Sequence, residues 1–219
     1  MSFISVIMIK NLILASASPR RKEILKKLNI PFAVIPADID ESIHLNESPI
    51  QYVERLAIEK CQKISASYPE SFVIGSDLTC DIDGIAIGKA KDRDQAKQFL
   101  TNFSGRKHFG RCGYAITQGT IILASGVATS IVTFKKINSL LLENYLDSNQ
   151  WQGLGGAYGV QNDGRKLLEA FQGSYYDILG LPIYHIIDTL VTFGFTISSE
   201  TIERLREDDS KFLSTLSLS

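Results

Sequence analysis

Two arginines, Arg20 and Arg21, stand directly after Ser16-Ala17-Ser18-Pro19. Ser18 is a good helix N-cap and Pro19 suits the first helical position. Free backbone N–H groups and the helix dipole at such a terminus favour an anion, so acidic side chains are the usual occupants. Two cations there run against the dipole. A bound anion removes the conflict, because each guanidinium offers forked donors to phosphate. A solvated basic turn is the competing reading, and this local pattern leaves both open. Asp77 follows the apolar run Phe72-Val73-Ile74-Gly75, at what reads as the end of a buried strand. Ligands of open α/β sheets bind at the carboxyl ends of strands. Asp40 and Glu41 follow a second short apolar run and can approach Asp77. Carboxylates so placed hold Mg²⁺ together with substrate phosphates, or position a water. A lone Asp after a strand is otherwise a turn former. Lys89 follows a hairpin signal, and Lys60, on a helical pattern, reads by itself as solvated.

Other chemistries lack their residues. His44, His108 and His185 form no nucleophile arrangement, and there is no Gly-x-Ser-x-Gly elbow, P-loop or Gly-x-Gly-x-x-Gly after a strand. Cys61, Cys80 and Cys112 are odd in number and have no Cys-x-x-Cys spacing. They read as small buried apolar residues in a reducing, cytoplasmic setting. Cys112 lies four residues after His108, and two candidate ligands do not make a zinc site.

The elements that must position these residues follow from hydrophobic period and punctuation. Leu12 to Ala15 predicts a strand, and Ile24, Leu25 and Leu28 mark the buried stripe of the helix opened by Ser18-Pro19. Phe32 to Ile35 predicts a second strand after Pro31. Ser48-Pro49 opens a long helix to about Ser67, with Val53, Leu56, Ala57 and Ile64 on its apolar face. After the strand ending at Asp77, Cys80 to Ile87 predicts a hairpin around Asp83-Gly84. Asp92 and Gln95 resemble a capping box opening a helix closed by Ser104-Gly105. Gly113 to Thr117, Thr120 to Ala124 and Val127 to Phe134 predict a three-stranded meander. A helix near Ser139 to Leu146, a strand near Lys166 to Phe171 and a helix from Pro182 to about Phe193 complete the order. Mixed βαβ units and hairpins predict an α/β protein with a mixed twisted sheet and flanking helices.

The chain has 219 residues, enough for one large domain or two lobes sharing a core. Residues 10–195 read as that single domain; 1–9 and 208–219 read as flexible ends. With 23 basic and 24 acidic residues the net charge is −1, which gives no electrostatic footprint for long nucleic acid or an anionic membrane. Phe3 to Ile9 is far shorter than a membrane span and lacks the flanks of a secretory signal.

Leu14-Ala15-Ser16-Ala17-Ser18-Pro19-Arg20-Arg21 resembles the opening signature of the Maf family of nucleoside triphosphate pyrophosphatases. The resemblance continues in order through Asp38-Ile39-Asp40-Glu41, Arg55 to Lys60, Ile74-Gly75-Ser76-Asp77, Gly88-Lys89, Ser104-Gly105-Arg106-Lys107-His108, Gly156 to Gln161, and Gly173 to Pro182. It implies an ITPase-like α/β fold with two lobes around a nucleotide-binding cleft. It implies Arg20, Arg21, Lys60 and Lys89 gripping a triphosphate, Ser16 and Ser18 lining its loop, and Gln161 near the nucleotide. It also implies Glu41 and Asp77 at a Mg²⁺ or Mn²⁺ site, with Asp77 as general base. Hydrolysis to a nucleoside monophosphate and pyrophosphate, a nucleotide-pool housecleaning role and a homodimer follow as expectations. The family's link to inhibition of septum formation gives a second class, a division regulator acting by binding. Leu78 stands where relatives acting on dTTP and UTP carry Thr. Gln161 resembles that branch, while Ser76-Asp77 and Ile178 to Pro182 resemble the branch acting on 7-methyl-GTP.

Overall fold

A computed structural model describes residues 11–216. The segment Phe3 to Ile9, the expected flexible residues 1–9, and 217–219 lie outside the described residues. In chain order the elements are β1 (Leu12–Leu14), α1 (Pro19–Lys26), β2 (Ala33–Val34), α2 (Pro49–Ser65), β3 (Phe72–Ile82), β4 (Ile85–Ile87) and α3 (Arg93–Phe103). There follow β5 (Lys107–Gln118), β6 (Ile121–Phe134), α4 (Ser139–Asp147), β7 (Leu168–Gln172), α5 (Tyr175–Leu179), α6 (Ile183–Thr192) and α7 (Ser199–Leu216). A 3₁₀ turn, Asp163–Leu167, precedes β7.

The strands form one mixed sheet in the order β2-β1-β3-β5-β6-β7, with β4 paired to β3. β1 runs parallel to β2 and β3, and the remaining pairs are antiparallel. Alternation along the strands splits the core in two. Leu12, Leu14, Phe72, Ile74 and Ile116 pack with residues of α1 and of α3 to α7. Ile13, Ala15, Val73 and Ala115 face Ala57, Cys61 and Ile64 of α2.

The helix starts match their sequence signals. Ser18 caps α1 by accepting from the Arg21 N–H, and Ser48 with Gln51 forms a full capping box on α2. Asp92 caps α3, but the Gln95 carbonyl accepts from the Lys91 N–H rather than from the cap residue. The Asp83-Gly84 turn has both residues at positive φ, as a tight two-residue hairpin requires.

Four expectations are corrected. β3 does not end at Asp77: it continues to Ile82, because β5 pairs with it from Phe72 through Asp81. The predicted three-stranded meander is a hairpin of two long strands; β6 passes through Gly126, where the Tyr114 ring of β5 covers the missing side chain. Lys166 belongs to the 3₁₀ turn and β7 starts at Leu168. The end from 208, expected to be a flexible terminus, is helical through Leu216, because Leu205 and Phe212 bury one side of α7 and Asp208 and Asp209 bond to earlier elements. α5 was not anticipated either.

Candidate active site

β1 and β4 pair with the same edge of β3 and leave a gap between them. β1 pairs with β3 as far as Ile74, and pairing with β4 begins at Cys80 of β3. Asp77 lies in that gap, mid-strand. A cleft of about 630 Å³ opens there, lined by the 15–21 loop and helix start, Glu41, Tyr52, Lys60, Asp77, Leu78 and Lys89. The parallel strand β1 stops and the chain turns into α1, so the α1 N-terminus faces the same opening.

Strand alternation then sorts the β3 side chains. Asp77 points to the α2 side, and Ser76 to the α5 side. On the first side, Lys60 Nζ donates to Asp77 Oδ1 at 2.6 Å and pairs with Glu41 Oε1 at 2.7 Å. Lys60 is 4% exposed and Asp77 8%. The close seat of α2 makes this contact possible. A Cβ at Gly75 would overlap the Ala57 carbonyl, and one at Gly113 would overlap the Val53 carbonyl. A side chain at either position pushes α2, and Lys60 with it, off the sheet. On the second side, Ser76 Oγ donates to the carbonyls of Gly113 and Gly180, at 2.7 and 2.9 Å.

Arg21 joins the two sides. Its Nε donates to the Gly180 carbonyl at 2.7 Å, Nη1 to Ser16 Oγ at 3.3 Å, and Nη2 lies 4.0 Å from Asp77 Oδ1. Ser16 Oγ also accepts from the Ser18 N–H. Arg20 and Lys89 are different: the side chain of neither makes a hydrogen bond or ion pair to another described residue. Burial, and then the Arg21 charge, hold the Arg20 guanidinium below its ordinary pKa. An unpaired, half-buried guanidinium is costly to keep without an anion. The cationic set is therefore divided. Lys60 and Arg21 are partnered to the carboxylate, and Arg20 and Lys89 are available to a ligand.

Glu41 arrives on a loop pinned from α2. Arg55 bonds both Glu47 carboxylate oxygens and the Ser42 carbonyl, and Tyr52 donates to the Glu41 carbonyl at 3.0 Å. The Arg55 hydrogen bond holds the Glu47 carboxyl down at about 2. Burial raises the Glu41 pKa, but bonding to Lys60 and the charges of Lys89 and Arg21 bring it below the ordinary value. The Tyr52 phenol is pushed up to about 12 by burial and by the Asp77 and Glu41 charges.

The sequence expectation brought Ser16, Ser18, Arg20, Arg21, Glu41, Lys60, Asp77 and Lys89 together, and all eight line this cleft. Asp40 does not join them; it accepts from Ser42 within its own loop. Gln161 lines two adjoining clefts instead, which Arg20 also lines. Ser76, Tyr52 and Gly180 were not foreseen. Tyr52 stands two turns before Lys60 on α2, and that spacing was its available signal. The cysteines are free and buried, as expected, and burial pushes each thiol up to about 12. His108 is buried with its Nε2 against the Tyr158 hydroxyl at 2.7 Å, away from the cleft.

Two carboxylates converging on one point suit a hard cation. Mg²⁺ commonly takes one or two carboxylates and completes its shell with water and substrate phosphates. Glu41 Oε1 and Asp77 Oδ1 meet at Lys60 Nζ, so the residues fit such an ion. Among the described residues no group of three His, Cys, Asp or Glu gathers as a self-sufficient metal cage. No described helix is long and apolar enough to cross a membrane.

Residues 11–193 match the family described as Maf-like protein. A dTTP/UTP pyrophosphatase of Symbiobacterium thermophilum is 36% identical over 188 residues, covering 86% of this chain and 96% of the relative. Another, of Clostridioides difficile, is 40% identical over 185 residues, covering 82% and 93%. Among solved structures, a HAM1 protein from Coxiella burnetii aligns with a TM-score of 0.44 and 13% identity, over 84% of this chain and 100% of that one.

Proposed function

The chain belongs to the Maf-like family, and from that premise we propose that it is a nucleoside triphosphate pyrophosphatase whose substrates include dTTP and UTP. Water attacks the α-phosphorus, the bond to the bridging oxygen breaks, and a nucleoside monophosphate and pyrophosphate leave. The observation that carries this reading is the division of the cations around Asp77. A triphosphate brings about four negative charges, and the catalytic task is to stabilise charge as it moves onto the leaving pyrophosphate. Arg20 and Lys89, unpaired, bind the incoming phosphates. Lys60, bonded to Asp77, holds that carboxylate in place beside them, and Arg21, whose Nη2 lies 4.0 Å from Asp77, stands between the carboxylate and the phosphates and binds both. Asp77 accepts the proton of the attacking water. Ser16 and Ser18 shape the loop under the phosphates, and Gln161 lies toward the nucleoside end.

Glu41 and Asp77 are the residues that would hold the divalent ion, Mg²⁺ or Mn²⁺. An ion held there would offset phosphate charge. The division-regulator reading needs no such convergence of Asp77, Lys60 and Arg21. A cytoplasmic enzyme fits three free buried cysteines. A homodimer, as the resemblance implies, is part of the same reading, and sedimentation of the purified chain tests it. The central experiment measures pyrophosphate release from dTTP, UTP, CTP and 7-methyl-GTP, with Mg²⁺ and with chelator. Release from dTTP and UTP that needs the ion supports the assignment. Tight binding of all four nucleotides without turnover overturns it in favour of the binding protein.

A further inference from the structure

The family match ends at residue 193, and α7 starts at Ser199. We infer that α7 is a strut whose Asp209 and Asp208 set the orientation of Arg21 through α5, which makes both positioning residues for the reaction. This rests on the proposed reading of Arg21 at the phosphate site.

The contacts run in one direction. Asp209 accepts from the Tyr175 N–H at 2.7 Å, from Ser174 Oγ at 3.2 Å and from the Tyr184 hydroxyl at 2.8 Å. It therefore satisfies the first turn of α5 from outside, since Ser174 is the cap of that helix. Asp208 Oδ2 accepts from the Tyr176 hydroxyl and from Lys27 Nζ, both at 2.8 Å. It thus ties the start of α5 to the residue that closes α1. Phe212 stacks on Tyr175 at 4.5 Å between ring centroids. α5 is a helix of five residues, too short to hold its shape unaided. Its far end is Gly180, at φ 102°, whose carbonyl accepts from both Arg21 Nε and Ser76 Oγ.

α1 and α5 are consequently joined twice. One joint is Arg21 on Gly180, at the cleft. The other is Asp208 between Lys27 and Tyr176, on the outside. Without the outer joint, the short helix is held only by the packing of Tyr176, Ile178 and Leu179, and a small tilt about the inner joint moves the Gly180 carbonyl off the Arg21 Nε–H. A guanidinium 4.0 Å from Asp77 has no other backbone acceptor to fix its plane. Small displacements at such a site are costly to rate.

The test uses the full chain with Asp209→Ala, and with Asp209→Asn as the milder variant that keeps an acceptor oxygen. The first readout is hydrogen exchange of the Arg21 Nε–H by nuclear magnetic resonance, without substrate. The strut requires exchange about tenfold faster in Asp209→Ala and an intermediate rate in Asp209→Asn. Unchanged exchange in both overturns it. The second readout is a double-mutant cycle on pyrophosphate release. Asp209→Ala should lower kcat about tenfold in the native background and leave it unchanged in an Arg21→Ala background. Additive losses mean that Asp209 acts only on general stability, and they overturn the strut. Full activity in Arg21→Ala alone sinks the phosphate-site reading of Arg21, while the exchange rates still decide the strut.

Discussion

Lys60 Nζ lies 2.6 Å from Asp77 Oδ1 at the floor of the cleft, both residues buried, and it shares its charge with the half-exposed Glu41. A helix and a strand 17 positions apart in sequence meet here because Gly75 and Gly113 let α2 lie flat on the sheet. The lysine does two things at once. It holds the Asp77 carboxylate in place, and it stands between two carboxylates that would otherwise repel.

Replacing Asp77 by Asn tests the carboxylate alone. The amide oxygen still accepts from Lys60, and Glu41 still balances the ammonium, so the fold should melt within a few degrees of the native protein. The general base is gone, and kcat should fall by about 10²-fold or more. Turnover near the native rate removes Asp77 from the mechanism.

Lys60→Met strips the buried Asp77 carboxylate of its hydrogen-bonded partner and leaves it only Arg21 at 4.0 Å. Loss of one partner from a buried pair costs about 3 kcal/mol, and urea unfolding at pH 7 should show a loss of that order. In an Asp77→Asn background the same change should cost much less, because the buried charge that it strands is absent. An equal loss in both backgrounds means that Lys60 contributes packing rather than charge balance.

Arg20 and Arg21 together should account for ligand-linked stabilisation. Pyrophosphate or triphosphate at about 100 times its Kd should stabilise the native chain by about 2.7 kcal/mol, read as a rise in Tm. The double replacement by Ala should abolish that rise. A double variant stabilised as strongly as the native chain places the phosphate site elsewhere.

The ordering of these elements was legible where the chain carries its own local signal. Ser18-Pro19, Ser48-Pro49 and Asp92 each start a helix as expected. The continuation of β3 was not legible, because Ser76, Asp77 and Thr79 interrupt its apolar run and only pairing with β5 holds the strand together. Gly126 hid β6 for a similar reason: its cover is Tyr114, on another strand. α7 carries too many acids for its apolar stripe to stand out, and the partners of Asp208 and Asp209 lie 25 to 181 positions away. At the site, the cations and carboxylates were visible as residue types. Their division into partnered and unpaired members was not, since it depends on which face of β3 each neighbour approaches.

Asp177 gives a pH signature. Burial, and then the Asp209 charge, raise its carboxyl to about 7. A carboxyl with a raised folded-state pKa favours the fold while it is protonated in both states, and that contribution is lost as pH rises from about 4 to about 7. Asp177→Asn cannot ionise. Its Tm should match the native value near pH 4 and exceed it by about 5 °C at pH 8. A constant difference between the two proteins across that range rules out ionisation of Asp177 as the cause.

Leu78 bears on substrate choice. It follows Asp77 on β3, lines the cleft, and would lie 3.6 Å from a Cβ placed at Gly180. Relatives acting on dTTP and UTP are expected to carry Thr here, and this chain presents an apolar side chain where they present a hydroxyl. A site that hydrogen-bonds its substrate rejects mismatched ones strongly, because their binding strands a buried polar group; an apolar wall discriminates less. Gln161 still offers a donor and an acceptor to a base edge. The native chain should therefore accept a broader set of nucleotides than dTTP and UTP, with CTP or 7-methyl-GTP turned over at a measurable kcat/KM. Leu78→Thr should shift kcat/KM toward dTTP and UTP by about tenfold, the scale of one added polar contact. Two results would sink this account: a native enzyme already confined to dTTP and UTP, or a Leu78→Thr profile identical to the native one. In either case the base is read by residues other than Leu78, and the apolar wall beside Asp77 serves only to pack against Gly180.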